Sequence, residues 1–100
     1  MALEFTDASL RRRIALVAEN SARVVPTGHA KKRMRERKVS LSQVLRVLQG
    51  GEVYEPAHRN IKGNWQCTLR RVVAGDAVRV ACSREHDEAG ELVVAITVIN

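Results

Sequence analysis

The sequence predicts one α+β domain: three N-terminal helices followed by an antiparallel sheet of about four strands, with the helices packed on one face. Three observations lead there. Apolar residues recur at helical spacing as far as Leu48, the period falls to two after Gly51, and Gly50-Gly51 punctuates the change. A chain of 100 residues makes one domain and buries roughly 60–70% of its unfolded surface without staples. With one Phe, one Trp and one Tyr, its core is built from Val, Leu, Ile and Ala.

The first helix is expected over residues 7–20. Thr6 and Asp7 offer a cap, and Leu10, Ile14 and Val17 fall at i, i+4, i+7, with Leu3 joining from the arm. Arg11, Arg12 and Arg13 fan over the rest as a solvated face. Pro26 interrupts and biases Val24-Val25 to extended backbone, either a short edge strand or a buried connector. Thr27 then caps a second helix over 28–37, whose apolar stripe is only Ala30 and Met34, so it lies on the surface.

The third helix, 41–49, has the clearest start. Ser40 and Gln43 form a capping box, Val39 and Val44 a hydrophobic staple, and Leu41, Val44, Leu45 and Leu48 the apolar face. Gly50-Gly51 stops it, with one of the two expected in the left-handed conformation.

Residues 52–99 read as the sheet. Val53-Tyr54 is a short strand, Trp65–Ala74 a long one, Val78–Arg84 a third, and Leu92–Ile99, apolar throughout, a central strand covered on both sides. Glu85–Gly90 reads as a polar loop containing His86, and His58 lies in another; both are ordinary surface residues. With Gly75-Asp76 as the hairpin turn, Leu69 pairs Cys82. Trp65, Cys67, Leu69, Val73, Val78, Val80 and Cys82 then share the core side, and Gln66, Thr68, Arg70, Arg79 and Ser83 the polar side. In that register Cys67 is diagonal to Cys82, roughly 7–8 Å away, and both are packing residues. Arg71 breaks the apolar pattern, and only an edge position accounts for it.

Charge is the strongest functional signal. Residues 1–50 hold 11 Lys and Arg against 4 Asp and Glu, net +7, whereas residues 51–100 hold 6 against 7, net −1. Six of the basic residues crowd into 29–38, His-Ala-Lys-Lys-Arg-Met-Arg-Glu-Arg-Lys. A field this lopsided suits a polyanionic partner, RNA or a small acidic protein. Scarce aromatics argue against a base-stacking platform. The two cysteines have neither a CxxC nor a zinc spacing, no carboxylate cluster is evident, and neither metal nor cofactor is expected. The N-terminus lacks the layout of a signal peptide, and no apolar run approaches the roughly 20 residues of a membrane span, so a cytoplasmic protein with reduced thiols is expected.

Several residues could carry metal-free RNA cleavage, which needs a base, cationic donors for the phosphorane and an acid for the leaving oxygen. His29 is the candidate base or acid, because an ordinary imidazole changes charge near neutrality. Arg33, at i+4, shares its helical face, and Arg37 continues the line. Arg70 and Arg79 are neighbours on the polar side of the sheet, with Thr68 and Ser83 beside them. Lys31, Lys32, Arg35, Arg37 and Lys38 would hold nucleic acid. The bland readings are a His29 bonded to a neighbouring carbonyl, and Arg33 and Arg37 paired with Glu36, Glu52 or Glu55. A helix-turn-helix fails because the would-be recognition helix has Arg46 as its only charge, and base readout needs polar side chains.

The string His29-Ala30-x-x-Arg33-Met34-x-x-Arg37, then Val39-Ser40 opening a helix and Leu48-x-Gly50-Gly51-Glu52-Val53, resembles a small bacterial family labelled a domain of unknown function. The resemblance covers about residues 25–99. That family is similar to the RelE, BrnT and barnase-like toxin clan, which implies helices against one face of an antiparallel sheet, and among relatives a ribonuclease paired with an antitoxin. Members often end Ile-Thr-Val-Tyr; here Ile99 takes the place of that Tyr.

Overall fold

The computed structural model describes residues 4–100; Leu3 lies outside the described residues. The chain runs through helix α1 (Asp7–Ala18), a 3-10 turn (Ser21–Arg23), strand β1 (Val24–Pro26), helices α2 (Gly28–Arg37) and α3 (Leu41–Gly50), and strands β2 (Glu52–Arg59), β3 (Trp65–Val73), β4 (Asp76–Asp87) and β5 (Gly90–Ile99). Thus α1 ends two residues short of the expected Asn20. Its cap is the Thr6 hydroxyl on the Ser9 amide, with Ser9 reciprocating to the Thr6 amide.

The helix-start chemistry expected for α2 and α3 is present. Thr27 accepts from the Ala30 amide, and Ser40 and Gln43 form their reciprocal box, with Val39 and Val44 both buried beside it. The stop at Gly50-Gly51 works differently from the expectation, because neither glycine has positive φ. They are small because neighbours press on them: a Cβ at Gly51 would lie 2.5 Å from the Val47 carbonyl oxygen, and one at Gly50 would lie 2.6 Å from the Arg71 guanidinium. The left-handed helix end belongs to α2, at Lys38 with φ 55°.

The sheet has five strands in the order β1-β5-β4-β3-β2 and is mixed. Val24–Pro26 pairs in parallel with Val93–Ala95, which corrects the expected four-stranded antiparallel sheet. Pro26, unable to donate, is accommodated because β1 is an outer strand. Three strands are also longer than expected: β2 runs to Arg59, β4 runs to Asp87 and β5 starts at Gly90, so His58 and His86 lie in strands instead of loops.

The β3–β4 hairpin turns on Ala74-Gly75, with φ 53° and 85°, as a two-residue primed turn requires. The turn sits one residue earlier than expected, so every partner shifts by two. The face assignments survive and the pairs change: Cys67 stands directly opposite Cys82, not diagonal to it, and Arg70 directly opposite Arg79.

One core fills the space between α1, α3 and one sheet face. Leu10, Ile14, Ala18, Val44, Val47 and Leu48 bury against Cys67, Leu69, Val73, Val78, Val80, Cys82, Val93, Ala95 and Val98. Leu41, expected in this core, is exposed, and Val17, Leu45, Val94 and Ile96 are half-buried. The helices do not all share that face. Helix α2 lies along β5 and the end of β1, at the sheet edge, where Ala30 and Val39 join the core. Arg71, facing the helices at the end of β3 where β2 no longer pairs, donates to the Arg46 carbonyl at 2.9 Å and so satisfies the C-terminal turn of α3.

Candidate functional site

The face opposite α1 and α3 carries the polar side chains, and the strand registers order them into rows. Ile99, Arg79, Arg70 and Glu52 form one row across β5, β4, β3 and β2. Thr97, Ala81, Thr68 and Glu55 form the next, and Val94, Ser83, Gln66 and His58 the third. Between Ala81 and Cys82 the register with β5 slips, making Ile96 the extra residue of a bulge. That bulge sets Thr97 on the polar face while Ala95 and Val98 remain in the core.

Helix α2 brings His29 to this face. Its Nε2 lies 3.1 Å from Thr97 Oγ1, and the ring is otherwise exposed. The contact is fixed from behind: Thr27 caps α2 while its amide bonds the Ala95 carbonyl at 3.0 Å and its hydroxyl the Ile96 carbonyl at 2.9 Å. The helix start is therefore stitched to the bulge that presents Thr97. In the tautomer that donates Nε2–H to Thr97, Nδ1 keeps its lone pair.

The arginines divide. Arg70 faces Arg79 directly, and the Arg79 guanidinium stacks over the Tyr54 ring at 4.8 Å, toward β2 and away from His29. Arg33 sits 3.7 Å from Glu36 on its own helix, and its Nε is buried with no hydrogen-bond partner among the described residues. So the inner strands bring Arg70 and Arg79 together, and His29 reaches the same face from α2 over β5, where its partner Thr97 is two residues from Ile99, the cross-strand partner of Arg79. Arg33 makes the helix pairing with Glu36 and none with Glu52 or Glu55. Lys31, Lys32, Arg35, Arg37 and Lys38 are exposed on α2 with no acidic partner among the described residues. Lys31 and Arg35 border a shallow groove floored by Met34 and Val39.

The sequence places Thr68 and Ser83 on this face but reveals neither their burial nor the cavity beside them. Thr68 is buried and donates to Glu55 at 3.2 Å, and Ser83, wholly buried, donates to Glu85 at 2.7 Å. Beside Ser83, residues 60–64 between β2 and β3 fold over the sheet and leave a cavity of about 230 Å³ against Val94 and Ile96. The Asn60 and Gly63 spacing was its only local signal. The Asn60 carboxamide oxygen accepts from the Lys62 and Asn64 amides at 3.0 Å, which closes the turn. Among the described residues no group of His, Cys, Asp and Glu is arranged to hold a metal ion, and no helix is long and apolar enough to cross a membrane.

No curated protein and no solved structure matches the chain. A family model does: residues 27–100, from the Thr27 cap of α2 to the end of β5, match the family described as Domain of unknown function (DUF4258), and the chain belongs to that family.

Proposed function

We propose that this protein is a metal-independent endoribonuclease of the kind found among RelE- and BrnT-like toxins, acting on RNA laid across the sheet face opposite α1 and α3. The observation that carries the reading is the His29–Thr97 contact at 3.1 Å, which fixes a solvent-facing imidazole on the same face as the Arg70–Arg79 pair. In the reaction, His29 Nδ1 takes the proton of a ribose 2′-hydroxyl. The O2′–P bond forms, the P–O5′ bond breaks, and O5′ takes a proton from solvent, leaving a 2′,3′-cyclic phosphate and a 5′-hydroxyl. Arg70 and Arg79 stabilise charge on the phosphorane, with Arg33 joining once a phosphate displaces Glu36. The exposed α2 cations hold the flanking strand.

Purified protein incubated with mixed-sequence RNA in EDTA tests this. His29→Ala should keep the fold, because the ring is exposed, and cut cleavage by about 10²–10⁴-fold. Arg33→Lys should also lower it, since an ammonium cannot reproduce the guanidinium fork. Cleavage unchanged in His29→Ala rejects the assignment.

A second reading is a non-catalytic module that uses α2 to bind nucleic acid or a small acidic, antitoxin-like protein. It is favoured by Arg33 and Arg79 being engaged with Glu36 and Tyr54 and not gathered around His29. Binding of RNA or an acidic partner with no cleavage of free or ribosome-bound message selects it.

A further inference from the structure

We infer that the cavity beneath the 60–64 turn is a base-binding pocket that takes one unpaired nucleobase bearing an amino group, guanine most tightly. The inference rests on RNA being the ligand of this face and names where it is read.

At about 230 Å³ the cavity is smaller than the roughly 300 Å³ at which drug-sized sites begin, so it takes one ring system and leaves sugar and phosphate outside. Its sides are apolar: Val94 and Ile96 from β5, and Ile61, fully exposed at the tip of the turn with no side-chain packing of its own. Ile61 borders the cavity from a turn closed on Asn60, so its free aliphatic side chain is available to cover a flat ring.

The polar edge is set by hydrogen bonds already made. Glu85 Oε2 accepts from the wholly buried Ser83 hydroxyl at 2.7 Å, which orients the carboxylate and leaves Oε1 open. Gln66 Oε1 accepts from Asn60 Nδ2 at 3.1 Å, which leaves its amide N–H groups to donate. The pocket thus presents a charged acceptor beside a neutral donor. Guanine matches it best, offering N1–H and N2–H to the carboxylate and O6 to the amide. Adenine and cytosine offer one amino group, and uracil none. Lys62, also lining the cavity, is placed for a phosphate.

The pocket adjoins the proposed chemistry. Thr27 lines it two residues before His29, and Ile96 lines it one residue before Thr97. A base seated there directs its ribose toward His29.

The test uses nuclear magnetic resonance titration of the whole protein with the four nucleoside monophosphates, which offer no internucleotide bond to cleave. Guanosine monophosphate should shift the amides of Gln66, Glu85 and the 60–64 turn and bind about tenfold tighter than uridine monophosphate. Glu85→Gln, which keeps an acceptor for Ser83, should abolish that preference, and Ile61→Ala, at an exposed turn tip, should weaken every nucleotide. Equal binding of guanosine and uridine monophosphates, or shifts confined to α2, overturns the pocket even if RNA is cleaved. Selective binding at the pocket by a protein that never cleaves RNA sustains it and defeats only the ribonuclease reading.

Discussion

Arg70 and Arg79 stand directly opposite each other on β3 and β4, two like charges in a position where a cross-strand pair ordinarily supports a sheet. Arg79 finds relief over the Tyr54 ring, while Arg70 is exposed and, although Glu52 stands opposite it on β2, closes no ion pair among the described residues. Like charges held opposite each other cost a sheet stability. Arg70→Gln should therefore raise stability by about 0.2–1 kcal/mol in urea unfolding while lowering RNA affinity. A loss of stability in this variant would mean that Arg70 has a structural partner.

Thr97 is expected to position His29 without touching the reacting atoms. Thr97→Val keeps the shape and removes the oxygen that holds Nε2. RNA cleavage should fall by about tenfold, with kcat lowered and KM little changed, and Thr97→Ser should restore it. Equal losses in the Val and Ser variants would locate the effect in packing.

The exposed α2 cations should show themselves in salt dependence. For a single strand, log K against log salt slopes by roughly −0.7 for each phosphate neutralised. Replacing Lys31, Lys32 and Arg35 with Ala should reduce that slope by about 2 without altering the melting temperature, because all three are exposed. An unchanged slope would show that this helix makes no RNA contact.

What could be read in advance follows the range of the interactions involved. The capping boxes and the staple of α3 are contacts between residues three to five apart, and the α2 and α3 boundaries were accordingly legible to within one residue. The pairing of β1 was not, because Val24 meets Val93 across most of the chain, and three extended residues carry no periodicity. His29 stood out by residue type. Its partner Thr97 did not, since that residue's facing depends on a bulge at Ile96 inside an unbroken apolar run. Arg71, which looked like a flaw in a strand, serves the Arg46 carbonyl on a helix. The placement of the hairpin turn one residue too late left both faces correct because the resulting slip was an even number.

Acid should loosen the contact between α1 and the far end of the sheet. Glu91 accepts from Arg84 at 2.7 Å and from Arg13 at 2.9 Å, joining β5 to β4 and α1. Burial pushes its carboxyl upward, but the two guanidiniums outweigh it and hold the carboxyl below its ordinary range. Asp87 is held low chiefly by its hydrogen bond from Arg23. A carboxyl depressed in the folded state stabilises above the unfolded range, roughly pH 4, and that support is lost as pH falls through the folded values. The urea midpoint should drop between pH 5 and about pH 3, and the drop should be smaller in Glu91→Gln. An equal drop in that variant would assign the acid sensitivity to other carboxyls.

The opposite end of the pH scale tests the sulfur pair in the core. Cys67 and Cys82 face each other across β3 and β4, both buried, with the Cys82 thiol 3.6 Å from the Cys67 carbonyl oxygen. The hydrogen bond with Cys67 and burial together push the Cys82 thiol well above its ordinary range. The folded protein therefore holds the Cys82 proton that the unfolded chain gives up near pH 8.5, while the bond to Cys82 draws the Cys67 thiol below its ordinary range and offsets part of this. A group raised in this way stabilises fully below its unfolded value, and the support fades as pH rises toward the folded one. Wild-type stability should thus fall between about pH 8 and pH 10 more steeply than that of Cys82→Ala, although the Ala variant is the less stable of the two at pH 7 because its truncation leaves a cavity. Native thiols should also react with a disulfide reagent only as fast as the core opens, so mild urea should accelerate the reaction. Parallel alkaline slopes in the two proteins, or rapid labelling without urea, would place Cys82 in contact with solvent and contradict its burial.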